Sequence, residues 1–282
     1  MEIVKEIPQV RALARQWQNS GLSVGFVPTM GYLHQGHLSL IERSAAENDK
    51  TIVSIFVNPT QFGPAEDLEA YPRDLQADLA LCQGAKADLV FCPAAQDMYR
   101  PGGGTVVEVH GSLTAGLCGA SRPDLFRGVA TVVTKLFNIA LPTRAYFGQK
   151  DAQQLAVIKR MTLDLDMDIE IVSCPTVREA DGLAKSSRNS YLTPEQRKSA
   201  RVVSRAVFEG ERRIAAGERS PAKITAAMRE IIEAEPLARI DYVELVDAHT
   251  MEKLEKAEGW VLGALAVFVG DTRLIDNFIL KV

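Results

Sequence analysis

Pro28-Thr29-Met30-Gly31-Tyr32-Leu33-His34-Gln35-Gly36-His37 decides how this chain is read. The apolar run 23–27 before it has the character of a buried strand, and in 38–46 the apolar residues recur at helical spacing. The unit is therefore strand, loop, helix. Such a loop aims backbone N–H groups and the positive end of a helix dipole outward, an arrangement that phosphate commonly occupies. Gly31 and Gly36 let the backbone approach a ligand closely, and His34 and His37 can donate to phosphate oxygens without adding permanent charge. The alternative is that the spacing only sets two surface histidines on one helical face. Zinc fits poorly, because HxxH lacks the Glu of HExxH and no third Cys or His lies nearby.

With 282 residues, 46% of them hydrophobic, the chain can fill more than one core, so two domains are expected. Thirty-two basic against 36 acidic side chains leave a net charge of −4, which argues against a sequence-blind nucleic-acid surface or a membrane surface. The first residues lack a basic segment followed by a long apolar core, and no stretch of about 18 uncharged apolar residues occurs, so a soluble cytoplasmic protein is expected. Cys82, Cys92, Cys118 and Cys174 show no CxxC spacing and read as free buried thiols.

Outward from the loop, apolar strands alternate with amphipathic helices. Val10, Leu13, Ala14 and Trp17 mark a first helix, and 51–57 is a strand stopped by Asn58-Pro59 and followed by Gln61. Leu75, Leu79 and Cys82 mark a helix after Tyr71-Pro72-Arg73, 88–92 is a short strand, and 105–109 is expected to be another. A helix at 129–140 and a strand at 145–147 follow. This alternation predicts an α/β domain, a parallel sheet with helices on both faces, over 1–176. Ligands of such sheets sit at the carboxyl ends of strands, where the 30–37 loop and Asn58-Gln61 both fall.

Gly148-Gln149-Lys150-Asp151 again joins a strand to a helix start. Lys150 suits phosphate as a point charge, and Gln149, Asp151 and Gln154 suit hydroxyl groups; the competing reading is a solvated helix start with Asp151 near the cap. Further on, Lys185, Ser186, Ser187 and Arg188 make a compact anion-binding set, or a solvated loop. Thr193-Pro194-Glu195-Gln196 opens a helix expected to reach about residue 216, and Ser220-Pro221 opens another. With the alternating 240–246 and the apolar run 261–269, a smaller α+β domain is expected over 177–282, closing over the nucleotide.

Together, residues 28–37, Asn58-Pro59-Thr60-Gln61-Phe62, Tyr71-Pro72-Arg73, 147–154, Ser186-Ser187-Arg188-Asn189 and Arg273-Leu274-Ile275-Asp276-Asn277 resemble the pantothenate synthetase (pantoate-beta-alanine ligase) family, within the HxGH nucleotidylyltransferase superfamily. The motifs are colinear over essentially the whole chain. The resemblance implies that pantoate and ATP form pantoyl adenylate and pyrophosphate, after which beta-alanine attacks to give pantothenate and AMP. It also implies a Rossmann-like fold for the first domain, Mg2+ and a homodimer.

By this resemblance His37, His34 and Lys150 are catalytic, with His37 the proton donor. ATP is met by Met30, Gly31, His34, Gly36, His37, Gly148, Gln149, Lys150, Asp151, Val177, Ser186, Ser187 and Arg188; Lys185 joins this set on its own charge and not by the resemblance, as an added phosphate contact or a solvated charge. Gln61 and Gln154 hold pantoate, and Gln61 also meets beta-alanine. Metal ligands are not identified; Asp78 is one of several carboxylates near Tyr71-Pro72-Arg73 that could serve. Asp124-Leu125, Lys185 and Thr60 depart from the family pattern, where Gly-His, an apolar residue and Met are common. A nucleotidyltransferase that releases a stable conjugate disagrees with Gln61 and Gln154, which fit a small hydroxy acid. A non-catalytic ATP-binding sensor disagrees with retention of both histidines and Lys150.

Overall fold

The computed structural model describes residues 1–64 and 66–282, which divide into two compact units. One comprises residues 1–109, 124–149 and 157–175. The other comprises residues 110–123, 150–156 and 176–282.

In the first unit, strands β1 (Glu2–Val4), β2 (Val24–Thr29), β3 (Lys50–Ile55), β4 (Leu89–Phe91), β5 (Arg144–Gly148) and β6 (Glu170–Cys174) are all parallel, in the order β1-β4-β3-β2-β5-β6. The strands read as continuous apolar runs because both faces of the sheet are covered. On β2, Phe26 meets Phe137 of helix Leu125–Ala140 edge to face, while the next residue, Val27, packs with Leu40 and Ile41 of helix Gln35–Glu47. Gly25 shares the Val27 face; a Cβ there would lie 2.2 Å from Ser44 Oγ, so the glycine lets that helix close onto the sheet. The direction of strand addition reverses between β2 and β5, and this switch point is where doubly wound sheets bind ligands.

The second unit is built on an antiparallel sheet of β7 (Ala238–Asp247), β8 (Trp260–Val269) and β9 (Thr272–Lys281). Helices Arg201–Ala215 and Pro221–Glu233 share its apolar core through Val203, Val207, Ile224 and Met228, against Leu265, Leu274 and Phe278. A bulge between Ile240 and Tyr242 leaves Asp241 outside the β7–β8 register, free to pair with Arg273.

Two local expectations change, and one further strand is found. Residues 105–109 form no strand: Val107 exchanges hydrogen bonds with the Thr131 hydroxyl instead of a neighbouring strand, and Val106 is exposed. The helix expected over 194–216 is two, Pro194–Ser199 and Arg201–Ala215, because the Val203 N–H reaches back only three residues to the Ala200 carbonyl and tightens the turn. Residues 272–281, to which the sequence reading assigns no element, form β9.

Candidate active site

His34 is the N-cap of helix Gln35–Glu47, with extended backbone, and His37 lies in the first turn. His34 Nδ1 accepts from the Gly36 N–H (3.1 Å), and His37 Nδ1 accepts from the His34 N–H (3.2 Å). The rings stand 4.1 Å apart, tilted by 34°. With Nδ1 occupied as an acceptor, each neutral imidazole carries its proton on Nε2. The cap therefore sets both tautomers, with Nε2 as the protonated nitrogen of each ring, beside a positive helix end.

Gly36 makes room for this. A Cβ there would stand 2.9 Å from His34 Cε1 and 3.0 Å from Nδ1. Gly31 has φ +83, a conformation strained for other residues, and its absent Cβ would also press on Asp78 and Ile55. Asp78 clamps the loop from below: its two carboxylate oxygens accept from the Tyr32 N–H (2.8 Å) and the Leu33 N–H (2.7 Å). Burial raises the Asp78 pKa, the two amide bonds oppose the rise, and Asp74 adds to it. No spacing rule links Asp78 to a loop 45 residues away, so the sequence offered it only as one of several carboxylates.

Gln61 is brought to the same loop. Its Nε2 lies 3.0 Å from Met30 Sδ, and its Oε1 accepts from Asn58 Nδ2 (3.1 Å). Asn58, almost fully buried, also donates to the Gly128 carbonyl (3.1 Å) and accepts from the Tyr99 hydroxyl (2.7 Å). Gly128 completes the assembly by its lack of a side chain, since a Cβ would lie 2.3 Å from the Thr60 carbonyl oxygen. Met30, Gly31, His34, Gly36, His37 and Gln61 thus gather beyond the carboxyl end of β2. Gly148 ends β5, the strand beside β2, and Gln149 follows it.

The remaining candidates lie in the second unit. Lys150 Nζ is 3.9 Å from Asp151 Oδ1, and the Lys150 carbonyl accepts from Asn277 Nδ2 (2.9 Å). Gln154 is half-buried beside Gln153, whose amide is fully engaged: Oε1 accepts from the Cys118 N–H, and Nε2 donates to the Leu113 and Gly116 carbonyls. The Val177 carbonyl accepts from the Lys185 N–H (2.9 Å), and Arg178 bridges Ala184 in an antiparallel pair. Lys185 pairs with Glu179 at 2.9 Å. Ser186 caps the turn Ser187–Tyr191 by accepting from the Arg188 N–H, and Ser187 is buried. Of the other departures, Asp124 pairs with Arg127 on the surface, and the Thr60 hydroxyl bonds Asn58 Oδ1. No helix among the described residues is long and apolar enough to cross a membrane.

The comparisons with known proteins agree with one another. The model of the pantoate-beta-alanine ligase family matches residues 2–279. A pantothenate synthetase of Moorella thermoacetica is 59% identical over 282 residues, 100% of this chain and 99% of that protein. The crystal structure of pantothenate synthetase from Thermus thermophilus is similar with a TM-score of 0.93 and 47% identity, covering 99% of each chain. A pantoate-beta-alanine ligase from Francisella tularensis, complexed with Beta-gamma ATP and beta-alanine, is similar with a TM-score of 0.81 and 34% identity, covering 99% of this chain and 97% of its own. Because the family match and the relatives alike run the length of the chain and share its fold, the chain belongs to the pantoate-beta-alanine ligase family.

Proposed function

We propose that this protein joins (R)-pantoate to beta-alanine at the expense of ATP, by way of pantoyl adenylate. A pantoate carboxylate oxygen attacks the α-phosphorus, the bond to the bridging oxygen breaks, and pyrophosphate leaves. The beta-alanine amine then attacks the acyl carbon, AMP departs with the former carboxylate oxygen, and the amine loses a proton as the amide forms. Family membership supports the reaction, and one observation carries the assignment of roles: two imidazoles locked as Nε2–H donors at a helix N-terminus, with Gln61 at Met30.

Negative charge grows on the α-phosphate and on the leaving pyrophosphate, so donors already in place lower the barrier without reorganising. His37 and His34 supply these as hydrogen-bond donors, each keeping its Nε2 proton, because full transfer from a neutral imidazole would leave an imidazolate. Met30, Gly31 and Gly36 meet the nucleotide through the loop, and Gly148, Gln149, Asp151 and Val177 hold the nucleoside. Lys150, Lys185, Ser186, Ser187 and Arg188 hold the β- and γ-phosphates. Gln61 and Gln154 bind pantoate through carboxamides that leave its carboxylate ionised, and Gln61 then meets beta-alanine. On this reading residues 1–176 carry ATP and pantoate, and 177–282 form a smaller domain that adds phosphate contacts.

Mg2+ is assigned as the ion that would arrive with ATP, where it would offset charge on the phosphate oxygens. The reading includes a cytoplasmic homodimer. Its test is pantoate-dependent exchange of labelled pyrophosphate into ATP, with Mg2+ and without beta-alanine. Exchange followed by AMP release on adding beta-alanine is the expected result. Folded, ATP-binding protein that shows no exchange with pantoate refutes it.

A further inference from the structure

The tail motif Arg273-Leu274-Ile275-Asp276-Asn277 takes no part in the chemistry above, yet each of its polar residues holds a segment from elsewhere in the second unit. Arg273 places its guanidinium nitrogens 3.7 Å from Cys118 Sγ, in the 110–123 segment, while it pairs with Asp241. Asn277, buried, donates to the Lys150 carbonyl (2.9 Å) in the 150–156 segment. Asp276, whose side chain is fully buried, takes a two-pronged bond from Arg178 (2.6 and 3.0 Å). Arg178 follows Val177 directly and faces Ala184 across the hairpin that ends in Lys185, Ser186, Ser187 and Arg188.

Successive residues of a strand point to opposite faces, so β9 holds Lys150 from one side and the 177–188 hairpin from the other through adjacent positions. A packed apolar pair would hold the sheet at least as firmly as the buried Arg178–Asp276 pair. What the polar groups add is direction, since a two-pronged guanidinium–carboxylate bond and an amide–carbonyl bond each permit one geometry.

We propose that Asp276 and Asn277 are positioning residues for adenylation, with β9 setting the backbone register of Lys150 and of the Val177–Arg188 hairpin. The inference rests on the reading that Lys150 and Ser186–Arg188 meet the ATP phosphates. Residues placed through backbone anchors keep their own side chains when the anchor is lost but no longer present them at the productive distance. A displacement of about 1 Å costs up to about 100-fold in rate.

The test uses the full-length enzyme and separates the half-reactions. Asn277→Ala and Asp276→Asn are assayed by ATP–pyrophosphate exchange, and in parallel by AMP release from supplied pantoyl adenylate and beta-alanine, which needs no triphosphate contact. Leu274→Ala, in the same strand and buried in the same core, is the control for stability alone. Asn277→Ser replaces the alanine variant if that chain does not fold. The expected result is that exchange falls about 10- to 100-fold, with a raised KM for ATP, while the second half-reaction stays within about two-fold. Leu274→Ala is expected to lower Tm without separating the two rates. If both half-reactions fall together in the Asp276 and Asn277 variants, or neither falls, the proposal is overturned. Lys150→Ala distinguishes the causes: unchanged exchange in that variant removes the phosphate reading and this inference with it, whereas lost exchange with unselective β9 variants removes only the positioning role.

Discussion

Gly36→Ala should separate stability from catalysis. The new Cβ would stand 2.9 Å from His34 Cε1, and ordinary contact begins near 3.4 Å, so the ring must retreat by about 0.5 Å. The Gly36 N–H to His34 Nδ1 bond is already 3.1 Å long and cannot stretch that far and survive. The backbone itself has no objection to alanine, because Gly36 is in the first turn of a helix and is not among the positive-φ glycines. Replacing a glycine in a compatible conformation stabilises by about 0.4–1 kcal/mol, and losing the cap bond costs about 0.5–1.5 kcal/mol, so the net change in stability is within about 1 kcal/mol. Catalysis has no such compensation. Removing a transition-state donor outright costs about 10²–10³-fold, and tilting one away should cost about 10–100-fold in adenylation. Pyrophosphate exchange and thermal unfolding on the same preparation read both quantities. Gly84→Ala, where a Cβ meets nothing within 4 Å, is the control and should leave exchange unchanged. A Gly36→Ala enzyme with wild-type exchange would refute the claim that the His34 ring must lie where the cap puts it.

Gly128→Ala forces a Cβ against the Thr60 carbonyl oxygen at 2.3 Å and the Gln61 nitrogen at 2.7 Å, backbone against backbone. It should destabilise by about 1–3 kcal/mol and raise the KM for pantoate more than that for ATP; equal effects on both would count against Gln61 as a pantoate ligand. Asp78→Asn keeps the shape but offers one acceptor to two amides, stranding a half-buried N–H at a cost of about 1 kcal/mol. Melting temperature and exchange should fall together, and an unaltered Tm would show that the clamp is dispensable. Burial pushes the Cys82 thiol up to about 12 and the Cys92 thiol up to about 11, so at pH 8 only about 0.1% of Cys92 is thiolate. Iodoacetamide labelling of the folded protein, mapped by mass spectrometry, should be slow at both and rise about tenfold per pH unit below those values; fast labelling at pH 8 of Cys92, which is half-buried, would contradict its raised pKa.

The parallel sheet was legible because burial on both faces leaves unbroken apolar runs, and the 30–37 loop because a strand, two glycines and two histidines precede a helical period. What supports the site was not legible in the same way. Asp78, Gly128 and Asn277 act on residues that are neighbours only after folding, and none has a local pattern that announces its partner. Asn58, Asp276 and Asn277 were visible as parts of motifs but not as anchors, since a motif names residues without saying what they touch. Residues 105–109 show the opposite failure: β-branched residues gave strand propensity, but the backbone found a threonine hydroxyl instead of a neighbouring strand.

The anchors on β9 also bear on the order in which the protein is made. The Lys150 carbonyl waits for a partner 127 residues downstream, and Arg178 for one 98 residues downstream. At about 5–20 residues per second, translation from Lys150 to Asn277 takes roughly 6–25 s. The parallel sheet is complete by Cys174, 103 residues before Asn277, and has roughly 5–21 s of that interval in which to fold. Lys150 and the 177–188 hairpin do not: a nascent chain stalled before Asn277 carries the histidine loop with its tautomers set, but lacks the strand that tethers its lysine.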